Sequence, residues 1–195
     1  MKKQISKKKI INVLKNIYLL DWMMCINNIN CELLKYNRLF PLQIKDLYKY
    51  TKKKINILNI GFYAGHKSII FLSSNKHSNV VSFDHGTNII AEIGNKFIEN
   101  TFPDRHILIR GEYQKLIEYH KKNKKIYDVI YIDSSPDSKN FNEFDTELLM
   151  IKNMGVHNSN TQIIINTDYQ NKSQLLHITR TLTYRDDYNM TIGWL

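Results

Sequence analysis

The sequence predicts an α/β fold built on a doubly wound, mostly parallel sheet. Five short runs rich in Ile and Val are typical of strands buried on both faces of such a sheet, and they are 55–60, 80–84, 106–110, 127–133 and 162–166. Segments between them, such as 66–72, 89–101 and 116–122, carry apolar residues at helical spacing. Strands alternating with helices indicate βαβ units. The length of 195 residues suits one domain with its own core.

The turn after the first predicted strand is the most informative stretch of the chain. Gly61 follows Ile60 directly, and Gly65 comes four residues later, just before the helical pattern begins at His66. In an open α/β sheet this turn lies at the carboxyl end of a strand, where ligands bind, and glycine lets backbone approach a ligand closely. A tight turn without a ligand is the alternative, because two glycines alone are a weak signal.

An acid at the end of the second predicted strand favours a ligand. Asp84 closes the run 80–84, about twenty residues beyond the glycine turn, and at this spacing a carboxylate can accept hydrogen bonds from ribose hydroxyls. The sequence therefore predicts a nucleoside cofactor.

Four motifs follow one another along the chain: Asn-Ile-Gly-Phe-Tyr-Ala-Gly-His-Lys-Ser at 59–68, Val-Ser-Phe-Asp at 81–84, Phe-Pro-Asp-Arg-His-Ile-Leu-Ile-Arg-Gly-Glu at 102–112, and Tyr-Asp-Val-Ile-Tyr-Ile-Asp at 127–133. In this order and spacing they resemble the class I S-adenosylmethionine-dependent methyltransferases, and most closely the branch of small-molecule and sugar O-methyltransferases. The resemblance covers residues 55–168. It implies a Rossmann-like sheet, S-adenosylmethionine as cofactor, and methyl transfer to a hydroxyl of a small molecule or sugar.

The resemblance also implies which residues hold the cofactor. The turn from Gly61 to Gly65 would pass beneath its methionine and ribose parts, Asp84 would bind the ribose hydroxyls, and Glu112 would accept from the adenine amino group. The adenine ring would be flanked by Phe62, Phe83 or His85. The full predicted set is Asn59, Gly61, Tyr63, Gly65, His66, Ser68, Asp84, His85, Gly111, Glu112 and Asp133.

Two features of this set have a second interpretation. Asn59 stands where the family usually carries an acid, which predicts weaker binding of a cationic methionine amine. Asp84 and Glu112 could simply be strand-end acids that cap the helices after them.

Asp133 and Asp168 close successive predicted strands, which would bring them to one crevice. In metal-dependent members of the family, acids at these places bind a divalent ion, so the resemblance implies a magnesium site there. The third family ligand corresponds to Tyr169, and Pro136 stands where the family has a basic catalytic residue. Asp133 and Asp137 are the predicted catalytic residues, and the other candidates for the base are Lys139 and Asp145. A metal-free crevice is the equal alternative.

The net charge of +10 lies entirely in the amino-terminal segment, residues 1–54. This segment holds 13 Lys and Arg against 3 acids, whereas residues 55–195 hold 15 of each. The excess could mark a surface for nucleic acid or another polyanion. The favoured interpretation is a solvated tail in a chain whose composition reflects an AT-rich genome, because no interleaving of aromatic and basic residues accompanies the run.

The amino-terminal segment is also predicted to be helical. One face of a first helix would carry Ile10, Val13, Leu14, Ile17, Leu20 and Met24, and 31–39 and 42–50 would form two shorter helices. We therefore divide the chain into a basic helical segment, 1–54, packed on a Rossmann-like cofactor-binding domain, 55–195, within one structural domain. In the resembled family such helices cover the cofactor or shape the acceptor pocket; a helix that only covers the core is the alternative.

At the other end, 173–183 is predicted to be a helix and 189–195 a last strand. The resembled family usually ends in a hairpin of two strands, so this sheet is expected to have one reduced edge.

Several classes of protein are disfavoured. Lys15 and Asp21 interrupt the longest apolar run, 10–26, and the basic start lacks a signal cleavage site, so a soluble, intracellular, cytoplasmic protein is expected. Cys25 and Cys31 are too few for a disulfide framework and are predicted to be buried thiols. The absence of G-x-G-x-x-G after the first strand argues against an NAD-dependent dehydrogenase.

Three functions follow from these observations. The first is an S-adenosylmethionine-dependent methyltransferase for a hydroxyl of a small molecule or sugar. The second is a catalytically degenerate methyltransferase fold that serves as a binding or scaffold protein, for which Asn59, Pro136 and Tyr169 argue. The third is an RNA methyltransferase that holds its substrate with the basic segment. A homodimer is left open.

Overall fold

The fold is taken from a computed structural model, which describes residues 7–27, 29, 41–86, 89–133, 141–166, 183–185 and 190–194. The helices are α1 (Lys7–Ile26), α2 (Pro41–Thr51), α3 (His66–Ser74), α4 (Ile89–Thr101), α5 (Tyr113–Asn123) and α6 (Phe141–Met154). The strands are β1 (Asn56–Ile60), β2 (Asn79–Asp84), β3 (His106–Arg110), β4 (Val129–Asp133), β5 (Gln162–Asn166), β6 (Thr183–Arg185) and β7 (Met190–Trp194). All five predicted parallel strands are present, whereas α6 was not predicted. The predicted helix at 31–39 lies outside the described residues.

The sheet confirms the doubly wound, mostly parallel architecture. Its strand order is β3-β2-β1-β4-β5-β7-β6, and β1 to β5 pair in parallel. The order reverses between β1 and β4, because the chain first adds strands on one side of β1 and then on the other. In sheets of this kind the carboxyl ends of the strands at the reversal form the ligand crevice.

The far edge of the sheet is complete, so the expectation of a reduced edge is wrong. β6 and β7 form an antiparallel pair, and β7 also pairs antiparallel with β5. The predicted last strand at 189–195 is confirmed as β7, but its partner was missed because Thr-Tyr-Arg at 183–185 is too short and too polar to give a strand pattern. The predicted helix at 173–183 lies outside the described residues except for Thr183, which begins β6.

The strands are buried on both faces, as their composition predicts. Alternate residues of each strand enter two separate cores: Ile57 and Val129 belong to one, and Leu58 and Ile130 to the other. Helices α1 to α4 cover the first core, and α5 and α6 cover the second. The sheet is therefore a rigid frame whose strand ends are fixed by packing on both sides.

The amino-terminal helices pack on the first core. Helix α1 contacts α3 and α4, and α2 contacts α3. The predicted apolar face of α1 is confirmed, because Val13, Leu20 and Met24 are buried. Cys25 is exposed, so the prediction of a buried thiol is wrong for this residue: it lies one position beyond Met24, where the helix has turned away from the core. None of the helices in the described ranges is long and apolar enough to cross a membrane.

Candidate cofactor-binding site

The turn between β1 and α3 is held tightly against the rest of the sheet. Gly61 and Gly65 have φ angles of +89° and +88°, a conformation that favours glycine. A Cβ atom on Gly61 would lie 2.5 Å from the carbonyl oxygen of Asp133, and one on Gly65 would lie 2.7 Å from Cδ1 of Ile98. Packing of the turn on β4 and α4 therefore requires both glycines, whether or not a ligand is bound.

Asp84 links three of the turns at this end of the sheet. Its Oδ2 accepts a hydrogen bond from the backbone N–H of Tyr63 at 2.6 Å, and its Oδ1 accepts from that of Gly86 at 2.7 Å. Its backbone carbonyl accepts from the N–H of Gly111 at 2.9 Å. Each carboxylate oxygen can accept two hydrogen bonds, so both oxygens keep capacity for a further donor. The structure thus brings the turns at Gly61, Asp84 and Gly111 together.

Aromatic rings gather beside Asp84. The ring centroids of His85 and Tyr113 are 4.1 Å apart and nearly perpendicular, and Phe83 stacks on Tyr113 at 4.8 Å. The Tyr113 hydroxyl donates to the carboxylate of Glu147. Sequence analysis missed Tyr113; its signal is an aromatic residue immediately after the Gly111-Glu112 pair.

Glu112 is exposed and lies in extended conformation at the start of α5. Its side chain makes no capping hydrogen bond to that helix. The capping interpretation is therefore wrong for Glu112, which leaves the carboxylate open to solvent beside the aromatic cluster.

Helix α1 reaches the glycine turn through a polar contact between Asp21 and His66. His66, the first residue of α3, is buried, and its Nε2 lies 2.8 Å from Oδ1 of Asp21 on α1. A carboxylate only accepts, so Nε2 donates, and in a neutral imidazole Nδ1 must be an acceptor. Among the described residues Nδ1 has no hydrogen-bond partner although it is buried. No local pattern predicted that Asp21 would meet His66, because the two are 45 residues apart.

Asn59 and Ser68 lie in a buried polar network beneath α3. The Asn59 side-chain amide donates to the Ser68 hydroxyl at 3.0 Å and to that of Ser82 at 3.3 Å. The network continues from Ser82 to Nε2 of His106 at 2.9 Å, and Nδ1 of His106 lies 3.0 Å from Oδ1 of Asn95. Burial lowers the pKa of His106 to about 4, so the ring stays neutral. Asn59 therefore holds strand to helix through its nitrogen, while its Oδ1 is buried without a donor in the described part of the chain.

Asp133, at the end of β4, is surrounded by donors. Nζ of Lys67 lies 2.6 Å from its Oδ2, and Nδ2 of Asn166 donates to its Oδ1 at 2.8 Å. Asn166 is the residue of β5 in register with Asp133, and its Oδ1 accepts from Gln43 of α2 at 3.1 Å. Lys67 is buried, with 6% of its side chain exposed, whereas Asp133 keeps 16%. Sequence analysis missed Lys67, although a single charge within an apolar helical segment was a usable signal.

The described residues around Asp133 supply nitrogen donors to its carboxylate, and the predicted magnesium site stays a prediction because Asp168 lies outside the described residues. Mg²⁺ binds oxygen atoms at about 2.0–2.1 Å, and both oxygens of Asp133 already accept from nitrogen donors, one of them a full positive charge. The described residues contain no group of three or more His, Cys, Asp or Glu side chains that could hold a metal ion. Strand β5 ends at Asn166; Asp168 and Asp137 lie outside the described residues.

Three solved structures share this architecture over nearly the whole chain. A Podospora anserina methyltransferase bound to SAH (S-adenosylhomocysteine) matches with a TM-score of 0.67 and 15% identity, over 98% of this chain and 89% of its own. A Bacillus cereus O-methyltransferase in complex with SAH gives 0.61 and 18%, over 98% and 91%. A Geobacter sulfurreducens methyltransferase gives 0.62 and 15%, over 93% and 90%. No family model and no curated protein matches the sequence. The likeness shows that the chain has the Rossmann-like fold of class I methyltransferases.

Proposed function

We propose that the protein is an S-adenosylmethionine-dependent methyltransferase that acts on a hydroxyl of a small molecule or sugar, in the cytoplasm. The observation that carries the proposal is the meeting of the turns at Gly61, Asp84 and Gly111 at the carboxyl ends of β1, β2 and β3. These are the places to which the sequence motifs assign the cofactor, and the fold is one found with SAH bound in other proteins.

The side chains in the crevice suit the parts of this cofactor. Asp84 has acceptor capacity for ribose hydroxyls, and His85 and Tyr113 offer ring faces and edges for adenine. The buried Nδ1 of His66 lacks a donor among the described residues, so it could accept from the methionine ammonium group. The first backbone N–H groups of α3 have no partner inside the helix and would suit the methionine carboxylate. Ser68 and Asn59 would act indirectly, because the hydrogen bond between them holds α3 against β1.

When bound, S-adenosylmethionine would supply a methyl group on a positively charged sulfur; the acceptor oxygen would bond to the methyl carbon as the carbon–sulfur bond breaks and S-adenosylhomocysteine leaves. The protein therefore has to align the two reactants and accept the proton of the hydroxyl group. The position of Asp133 at the end of β4, with part of its side chain exposed, supports this role. Asp137, the second predicted catalytic residue, lies outside the described residues and remains a prediction.

Calorimetric titration of the full chain with SAH tests the proposal, with NAD as the control ligand because dehydrogenases share the parent architecture. We expect one site for SAH and none for NAD. Replacement of Asp84 by Asn presents an N–H donor to a backbone N–H donor and should weaken SAH binding by about 10- to 100-fold, a loss of roughly 1.5–3 kcal/mol. The matched control is Asp104→Asn, an exposed acid at φ +61°, which Asn tolerates. No heat with SAH from well-folded protein contradicts the proposal.

A scaffold protein is the second candidate, favoured by the neutral Asn59, which stands where the resembled family usually carries an acid. A screen with S-adenosylmethionine labelled in the methyl group separates the two, since turnover of any acceptor excludes a scaffold without activity. Two partners predicted from the sequence are tested by separate measurements. An RNA acceptor held by residues 1–54 would bind with a steep salt dependence, and a homodimer would appear in sedimentation as twice the mass of 23.2 kDa.

A further inference from the structure

A buried ammonium lies against the carboxylate at the end of β4, in the crevice beside the glycine turn. Nζ of Lys67 and Oδ2 of Asp133 are 2.6 Å apart. Asn166 and Gln43, which belong to the same network, are neutral amides. A divalent cation at Asp133 would compete with an ammonium that is already in place.

The oxygen atoms of the network already accept from nitrogen donors. Asn166 donates to Asp133 through Nδ2, and its Oδ1 accepts from Gln43. A metal ion at this Oδ1 would have to share the oxygen with the Gln43 donor. The Asn166 side chain is held by hydrogen bonds on both sides, to Asp133 of β4 and to Gln43 of α2. The amide therefore links the carboxylate to the helix.

Burial explains why the pair is maintained. A buried ammonium is costly unless it is paired and hydrogen-bonded, and Lys67 has 6% of its side chain exposed. It is the second residue of α3, next to the turn whose Gly61 packs on the backbone of Asp133. The same contact that needs glycine at position 61 therefore brings the Lys67 ammonium to the end of β4.

We propose that the Lys67 ammonium takes the position of a divalent cation in this crevice, so that the protein works without a metal. Lys67 is a positioning residue: its ammonium, 2.6 Å from Oδ2, holds the Asp133 carboxylate toward the exposed side of the crevice, where an acceptor hydroxyl would bind. This assignment rests on the proposed function for the identity of the acceptor site, but its metal-free character can be tested independently.

The test is a Mn²⁺ titration of the full chain, followed by electron paramagnetic resonance, in the presence and absence of SAH. Mn²⁺ uses the same oxygen ligands as Mg²⁺. We expect wild type and Asp133→Asn to give the same binding curve, because the Lys67 ammonium beside the Asp133 carboxylate repels the ion. One Mn²⁺ per chain that is lost in Asp133→Asn but kept in the exposed-acid control Asp104→Asn overturns the inference. The Mn²⁺ titration tests the metal-free character of the site whether or not SAH binds. SAH binding tests the proposed function separately.

Lys67→Met supplies a second readout, since it keeps the length of the side chain and removes the charge. We expect SAH affinity to change by less than about threefold while methyl transfer at saturating cofactor falls by at least about tenfold, which corresponds to roughly 1.4 kcal/mol in the transition state.

A chelator should leave wild-type turnover unchanged. Loss of wild-type turnover on chelation, restored by Mg²⁺, overturns the inference. If Lys67→Met does not fold, the double variant Lys67→Met/Asp133→Asn removes both charges and takes its place, with the same tenfold loss expected; turnover equal to wild type contradicts the assignment.

Discussion

Gly61 is the residue on which the crevice depends most directly, since its missing side chain lets β1 and β4 end side by side. In Gly61→Ala the new Cβ would meet the Asp133 carbonyl at 2.5 Å, and φ would stay at +89°. We expect a loss of about 2–4 kcal/mol in the free energy of unfolding, because backbone strain of about 1–3 kcal/mol adds to the clash. Urea denaturation measures it.

Gly155→Ala is the matched control for Gly61→Ala. Gly155 also has a positive φ, +62°, but a Cβ there would meet nothing within 4 Å. Its replacement should cost only the strain of the left-handed conformation, about 1–2 kcal/mol. Equal losses in the two variants would mean that the contact with Asp133 can be relieved without cost, contrary to the tight packing described above.

The residues of the site differ in how far sequence could find them. Gly61 and Asp84 were predictable, because a strand followed by glycine and a strand closed by an acid are local patterns. The contacts of Lys67 and Asn166 with Asp133 were not, because they arise from the register that sets β4 beside β5 and from the position of the start of α3 at the end of β4. Residue spacing along one segment does not say which strand end a helix will cover.

At the scale of elements, α1 is tied to the glycine turn by the contact between Asp21 and His66. Asp21→Ala leaves a buried N–H of His66 without its acceptor, which typically costs about 1–3 kcal/mol. The low end applies, because 41% of the Asp21 side chain is exposed. We expect amide hydrogen exchange in α1 and in 62–68 to become about fivefold faster, as local opening becomes easier by about 1 kcal/mol.

Lys15→Ala is the control for this helix contact, because Lys15 is exposed on the same helix. Exchange in α1 should stay at the wild-type rate in this variant. If Asp21→Ala behaved like Lys15→Ala, the contact would hold no part of α1, and the helix would cover the turn through its apolar face alone. That apolar face was predictable from its 3.6-residue period, whereas the polar contact was not, since it joins two segments that no local pattern relates.

At the scale of the whole molecule, sequence was sufficient for the parallel sheet and insufficient for its far edge. The five parallel strands are apolar runs buried on both faces, so each carries a strong local signal. The hairpin of β6 and β7 has its short strand at 183–185, and only pairing with β7 defines it. A strand that is defined by pairing with a neighbour, rather than by its own burial, carries little signal in a single sequence.

The buried histidines make the stability of the whole molecule sensitive to acid. Burial lowers the pKa of His106 to about 4, and burial together with the nearby Lys125 lowers that of His120 to about 4, whereas an unfolded histidine titrates near 6.5. Between these values the unfolded chain binds more protons than the folded one, so stability is complete above about pH 6.5 and decreases as the pH falls toward 4. From about pH 7 to about pH 5 each histidine should cost about 2 kcal/mol.

His106→Gln isolates one of these contributions. Urea unfolding of wild type and variant at the two pH values should show that the variant loses about 2 kcal/mol less than wild type on acidification, because glutamine cannot take up the proton. His77→Gln, at an exposed position, should lose as much as wild type, and it corrects for carboxylates that titrate in the same range. An identical pH dependence in all three proteins would mean that His106 is protonated in the folded state as easily as in water. The ring would then have to break its bond from the Ser82 hydroxyl, and the network that joins β2, β3 and α3 would rearrange without loss of stability.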